Sequence, residues 1–327
     1  MASLVVCGAI NWDVSCFVQH LPVPGEEVTT KHISRVSGGT GGNVAVAAAR
    51  ILGAKEVALI GALGADGIAR QQIAILEKEG VITTGIRQIT GEESGQAYIL
   101  IDERGENVIA SYLGANARLS REHLNKKQVK QQLEECRGIA LTDPPLEVAR
   151  ELIALAERRS IPVLWDPGIL INLDREALLS LAKEVNVLFL NETEADALLG
   201  ASAVNTRLQR LQKLGFENRV VLKLGAQGAV MLELASGRIT QVPSLPLEKL
   251  GLKVVNTVGC GDVFAGVFAA YYVLGNSLKQ SLLMASAAAG INANRPETRG
   301  SPSRLSLEQI VDRAKKLGFA VQEHKLV

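Results

Sequence analysis

Short apolar runs rich in β-branched residues alternate with helical patterns along most of this chain, and that rhythm restricts its fold more than any other feature. Residues 4–7, 57–60, 139–141, 163–165, 187–190 and 220–224 are strand-length and bounded by turn residues. Helical patterns occupy 43–52, 68–79, 146–159, 176–183 and 192–199 between them. Strands separated by helices predict an α/β fold with a mostly parallel central sheet and helices on both faces. Two regions, 14–36 and 95–113, instead alternate apolar and polar residues with period two. They are expected to pair as a small antiparallel sheet, with a turn at Asp102-Glu103-Arg104-Gly105. Such a sheet reads as a lid over a site, or as an edge extension or dimer surface. Ser306-Leu307-Glu308-Gln309 reads as a capping box opening a last helix that runs to residue 317. No repeat or linker divides the chain, so residues 1–327 are expected to form a single domain.

The 327 residues are 47% hydrophobic and 21% charged, with a formal net charge of +1. That balance gives no basic or acidic excess and argues against nucleic acid or a membrane surface as partner. No stretch approaches the apolar length of a transmembrane helix. Cys7, Cys16, Cys136 and Cys260 are scattered, as are the four histidines, which argues against zinc and disulfides. A soluble cytoplasmic protein is expected.

Four motifs could carry chemistry. Asn256-Thr257-Val258-Gly259-Cys260-Gly261-Asp262 precedes a run of small and apolar residues suited to a buried helix. Its glycines can expose consecutive N–H groups at the positive end of that helix, a cradle for an anion, with Asp262 placed as a base. Asp262 also suits a first helical turn for the dipole alone. Ser37-Gly38-Gly39-Thr40-Gly41-Gly42-Asn43 permits close approach to a ligand or simply tight helix packing, and lacks the Lys-Ser/Thr of a Walker A loop. Asn191-Glu192-Thr193-Glu194 is a capping box that could also hold a magnesium-bound water. Residues 221–230 read as strand, glycine turn and strand, able to shape a nucleotide site. Gly61-Ala62-Leu63-Gly64 has a leucine where a dinucleotide fingerprint needs its second glycine, which speaks against a Rossmann oxidoreductase.

Taken in order and spacing, these motifs resemble the ribokinase-like sugar and nucleoside kinases, the PfkB family, from Leu4 to the final helix. The resemblance implies a three-layer α/β/α domain with a β-lid formed by about 12–37 and 95–113, which also dimerises in many members. It implies ATP with Mg2+, and Asp262 as catalytic base with the amides of Gly259, Cys260 and Gly261 as anion hole. Asn11, Asp13, Gly39, Thr40, Asn43 and Asp143 correspond to sugar-binding positions. Asn191 and Glu194 would serve phosphate and magnesium, and Lys223, Gly225 and Gly228 the nucleotide.

Some positions depart from the family pattern. Asn256 stands where ribokinases have an Asp that helps hold a monovalent cation, leaving K+ activation undecided. Cys260 replaces the usual alanine, as a reactive thiol or a small filler. Residues 294–300 match the usual adenine loop poorly. The acceptor implied is a small sugar, ribose first, with the 5′-hydroxyl of a ribonucleoside as the alternative; Trp12 could cap either pocket or pack the lid. A kinase fold kept as a non-catalytic sugar- or nucleotide-binding regulator is the reading from a different class.

Overall fold

The central strands are apolar on both faces, and the structure covers both. In this computed structural model, residues 2–172, 174–200 and 203–325 are described. The N-terminal part runs β1 (Leu4–Gly8), β2 (Asn11–Phe17), β3 (His32–Gly38), α1 (Thr40–Leu52), β4 (Val57–Gly64), α2 (Gly67–Lys78), β5 (Val81–Ile82), β6 (Ile86–Ile89), β7 (Gly95–Ile101) and β8 (Asn107–Tyr112). The middle runs α3 (Lys127–Glu135), β9 (Ile139–Thr142), α4 (Leu146–Arg159), β10 (Val163–Asp166), α5 (Arg175–Ala182), β11 (Val187–Asn191), α6 (Glu192–Leu199), α7 (Val204–Lys213) and β12 (Arg219–Lys223). The chain finishes with β13 (Ala229–Glu233), β14 (Arg238–Val242), α8 (Cys260–Val273), α9 (Leu278–Ala293), α10 (Arg304–Lys315) and β15 (Gln322–Lys325).

The large sheet has the order β15-β14-β13-β12-β11-β10-β9-β1-β4-β5, with β6 also on β4. From β12 to β5 all neighbours are parallel, and β13, β14 and β15 add an antiparallel flank. Alternation along β1 shows the layering: Leu4 and Val6 join the core under α1, α8, α9 and α10, whereas Val5 and Cys7 join the one under α3 to α7. Phe189 on β11 meets Phe268 on α8 edge to face, with ring centroids 5.3 Å apart. The three-layer expectation therefore holds.

β3-β2-β7-β8 form a separate four-stranded sheet. It is not purely antiparallel as expected, because its middle pair, β2 and β7, is parallel. Both strands enter from the main sheet, Asn11 opposite Gly95, and so run the same way. The last helix also begins earlier than expected. Ser303 caps it by accepting from Ser306 N, so Ser306 is the third helical residue rather than the cap. α8 and α9 are buried nearly all round, and an all-apolar helix leaves no periodic stripe to read.

Candidate active site

Parallel strands send polar residues to their carboxyl edge, where open α/β sheets bind ligands. Here that edge presents Asn11 after β1, Asp143 after β9, Asp166 ending β10, Asn191 ending β11 and Lys223 ending β12. The starts of α1 and α8 meet it from one side.

α8 begins at Gly259, whose φ of 77° suits a residue without Cβ, and no side chain caps it. Cys260 N makes a long bond to Thr257 O (3.3 Å), while the N–H groups of Gly259 and Gly261 have no protein acceptor among the described residues. Of the three amides expected to form an anion hole, two are open donors and one is partly committed. Asp262 follows in the first turn. Its Oδ2 accepts from Asn43 Nδ2 at 2.7 Å. Burial lifts its pKa to about 6, against the Asn43 hydrogen bond and with the nearby Asp166 charge adding to the rise. Burial also raises the Cys260 thiol, and its sulfur accepts from Asn292 Nδ2 at 3.4 Å; this is the small-filler reading rather than a thiolate.

A second group of polar residues, those expected to bind the acceptor, lies beyond Asp262. Asp13 is 6% exposed, yet no protein donor reaches its carboxylate among the described residues. Burial holds its pKa up at about 7, with Arg299 opposing. Asp143 adopts a left-handed φ of 46°, and its Oδ1 accepts from Thr40 Oγ1 (2.8 Å) and Ala9 N (3.2 Å). Burial raises Asp143 to about 7 as well. Asn116 Nδ2 donates to Asn11 Oδ1 at 2.9 Å and fixes that amide. Gly39 precedes α1, whose second and third N–H groups, from Gly41 and Gly42, donate to Ala9 O. The close approach made by this glycine segment is therefore to the end of β1. Trp12 alternates with Asn11 and Asp13 along β2 and so lies on the opposite face of the small sheet from them.

On the other side of α8's start lies a cavity of about 680 Å3. Gly225, Gly228, Thr257, Cys260, Gly261 and Phe264 are among its walls, with Lys223 at one end. Lys223 pairs with Asp166. Burial opposes its charge, but Asp166 and Glu194 together raise its pKa above the ordinary lysine value. The Asn191–Glu194 capping box is complete: Glu194 N donates to Asn191 Oδ1 and Asn191 N to Glu194 Oε2, each at 2.8 Å. Only one Glu194 oxygen is used there, and burial with the Asp166 charge raises its pKa.

Two carboxylates beside an anion cradle fit a divalent ion held through water and substrate phosphates, the usual manner of magnesium. No group of three or more His, Cys, Asp or Glu could enclose a metal among the described residues. A monovalent cation fits poorly at Asn256. Its Nδ2 donates to Pro296 O (2.9 Å), its Oδ1 accepts from Val258 N (3.0 Å), and Val258 O takes Asn292 Nδ2 (3.2 Å). The Pro296 and Val258 carbonyls are thus each met by an amide, Asn292 Oδ1 is buried without a partner, and neither amide carries charge.

The structure gathers all the expected site residues along one edge and adds Asp166, Asn116 and Arg299. Asp166 ends a strand, a position the sheet rule alone could have flagged. Asn116 lies in a 3-10 turn, Gly114–Arg118, and Arg299 in the loop of the 294–300 stretch, and neither has a role assigned from sequence. Conversely, Asp66 in the glycine-rich stretch after β4 caps α2 through Ala69 N and accepts from Ser94 N, a structural role.

Among the described residues, no helix is long and apolar enough to cross a membrane. The sequence model described as pfkB family carbohydrate kinase matches residues 1–304. Ribokinase of Haemophilus influenzae is 29% identical over 317 residues, 95% of this chain and 99% of that protein. An ATP-dependent ribose-1-phosphate kinase of Halopiger xanaduensis is 27% identical over 309 residues, 93% of this chain and 96% of that protein. The structure of Arabidopsis thaliana ribokinase complexed with ribose and ATP aligns with a TM-score of 0.82 at 26% identity, covering 95% of this chain and 99% of that one. A family match over nearly the whole chain, on a sheet edge that joins a carboxylate, an anion cradle and a large cavity, makes this chain a member of the pfkB family of carbohydrate kinases, phosphotransferases with an alcohol acceptor.

Proposed function

We propose that the protein is an ATP-dependent ribose kinase: a single kinase domain with the small sheet as lid, Asp262 as general base and ATP in the large cavity. The observation that carries this is the position of Asp262. It stands in the first turn of α8, next to Cys260 and Gly261, which line the cavity, and hydrogen-bonded to Asn43 toward the carboxylates of the acceptor side. The acceptor oxygen forms a bond to the γ-phosphorus, the bond to the ADP oxygen breaks, and the acceptor's proton passes to Asp262. The Gly259 and Gly261 amides and Lys223 stabilise charge on the transferring group. Glu194 and Asp166 would hold Mg2+, which offsets phosphate charge when bound.

Ribose is favoured over a charged acceptor by the cations nearby. Each nitrogen of Arg299 already donates to protein, and Lys223, paired with Asp166 and bordering the cavity assigned to ATP, is placed for the transferring group rather than for a phosphate on the sugar. Around a neutral sugar, Asp13 offers an unpaired acceptor and Asn11 a fixed amide. Both the Haemophilus and the Arabidopsis relatives are ribokinases. A homodimer through the lid accompanies this reading, because Ile33, Tyr98, Val108 and Tyr112 share one lid face by register and remain exposed. The reduced thiols fit the cytoplasm.

ADP release should be measured with ATP and magnesium over ribose, fructose, 2-keto-3-deoxygluconate, ribose 1-phosphate, adenosine, cytidine, inosine and guanosine. Turnover highest on ribose is expected. Turnover confined to nucleosides or to ribose 1-phosphate would overturn the assignment.

A further inference from the structure

Arg299 lies in the loop between α9 and α10, far in sequence from everything it touches. Its Nε donates to Asn43 Oδ1 at 2.8 Å, one terminal nitrogen to Gly38 O at 2.9 Å and the other to Ser37 Oγ. The guanidinium lies against Gly42, where a Cβ would stand 2.4 Å from it, so the bare backbone of α1 is what admits it. Ser37 and Gly38 end β3, the strand paired with β2, which carries Asn11 and Asp13. Asn43 meets Asp262 through its other amide end.

The geometry has a directional consequence. An arginine N–H can be met only by the oxygen of the Asn43 amide, so the NH2 end must point at Asp262. A carboxylate accepting that N–H is stabilised in its ionised form, the form a base requires. One side chain thus joins the lid root to the amide that orients the base.

We propose that Arg299 is a positioning residue of the transfer reaction, coupling the placement of the acceptor-binding lid strand to the orientation of Asp262 through Asn43. This rests on the reading of Asp262 as base. Asp262 also faces Asp13 on β2, Asp143 after β9, Asp166 on β10, Glu194 on α6 and Lys223 on β12. Arg299 makes no contact with the cavity assigned to ATP. Its removal should therefore act on the acceptor side and leave the donor side alone.

The test is steady-state kinetics across pH with Arg299→Met and Arg299→Lys, alongside Asp262→Asn. Arg299→Met should lower kcat about 10²-fold and raise KM for the acceptor, with KM for ATP unchanged. The acid limb of its kcat profile should move up by about one pH unit. Arg299→Lys should return that limb toward wild type while recovering only part of kcat, since an ammonium lacks the guanidinium fork. Wild-type acceptor KM and acid limb in folded Arg299→Met overturn the proposal. If that variant does not fold, Arg299→Lys decides: wild-type kcat and acceptor KM there overturn it equally. Near-wild-type turnover in Asp262→Asn would instead remove the base reading, so the two failures are distinct.

Discussion

The starts of α1 and α8 look alike and behave differently. Each follows a glycine with positive φ, 84° at Gly39 and 77° at Gly259, and neither has a side-chain cap. Both leave backbone N–H groups that need acceptors. At α1 the end of β1 supplies one: Gly41 N and Gly42 N donate to Ala9 O at 2.9 and 3.3 Å. At α8 the pattern is reversed: the first helical N–H, from Cys260, has a carbonyl at 3.3 Å and those of Gly261 and Asp262 have none among the described residues, whereas at α1 the first, from Thr40, is the one without an acceptor. The two starts thus differ in which N–H groups the fold pairs: the second and third helical residues at α1, and only the first at α8. The first start packs against the end of β1 and brings Thr40 to Asp143 and Asn43 to Asp262; the second is the one to which the proposed function assigns the phosphoryl group.

Removing the base from the start of α8 should have the largest effect. Asp262→Asn is expected to lower kcat by about 10²–10⁴ while nucleotide binding by calorimetry and the melting temperature hold. The same carboxylate should give kcat an acid limb near 6, where burial places it, with about tenfold loss per unit below. Activity that is flat from pH 5 to 8 would remove the contrast between the two starts.

A second experiment probes the carboxylate beside the start of α1. Asp13 has a folded pKa of about 7 against an unfolded value near 3.8, so the native state holds its proton more tightly. Its stabilising contribution is full below the unfolded value and is lost as pH rises through about 7. Asp13→Asn should therefore melt above wild type at pH 8, by a few kcal/mol at most, with the gain vanishing toward pH 4. The acceptor KM should rise in the same variant.

Gly41→Ala tests the packing of the first start itself. A Cβ there would lie 2.6 Å from the Gly8 carbonyl carbon, and the resulting overpacking should cost about 1–3 kcal/mol in chemical denaturation. KM for ATP should not move, since the start of α1 does not face the donor. The smallest effect concerns the flank of the start of α8. Exchanging K+ for choline should leave turnover unchanged, because the Asn256 and Asn292 amides already pair the carbonyls of Pro296 and Val258. Strong K+ activation would show that this corner rearranges around an ion.

The strand and helix pattern was legible because its causes are local: period two or 3.6 in a short window, a capping residue, a turn. Asn191 and Glu194 were read as a cap and form one. α9 escaped because a helix buried on all sides carries no stripe. The small sheet was found as strands, but its parallel middle pair depends on where β2 and β7 leave the main sheet, which neither strand encodes.

By itself, then, the sequence determined the layered α/β architecture, the carboxylate at a glycine-rich helix start and the signature order shared with the family. Only the tertiary structure decided which N–H groups at each glycine-rich start are paired, that Asn43 reaches Asp262 across 219 residues, and that Arg299 reaches Asn43 across 256. The reason is physical. Propensity and periodicity act over a few residues, whereas the state of an N–H or a carboxylate is fixed by whichever groups the packed core brings within about 3 Å.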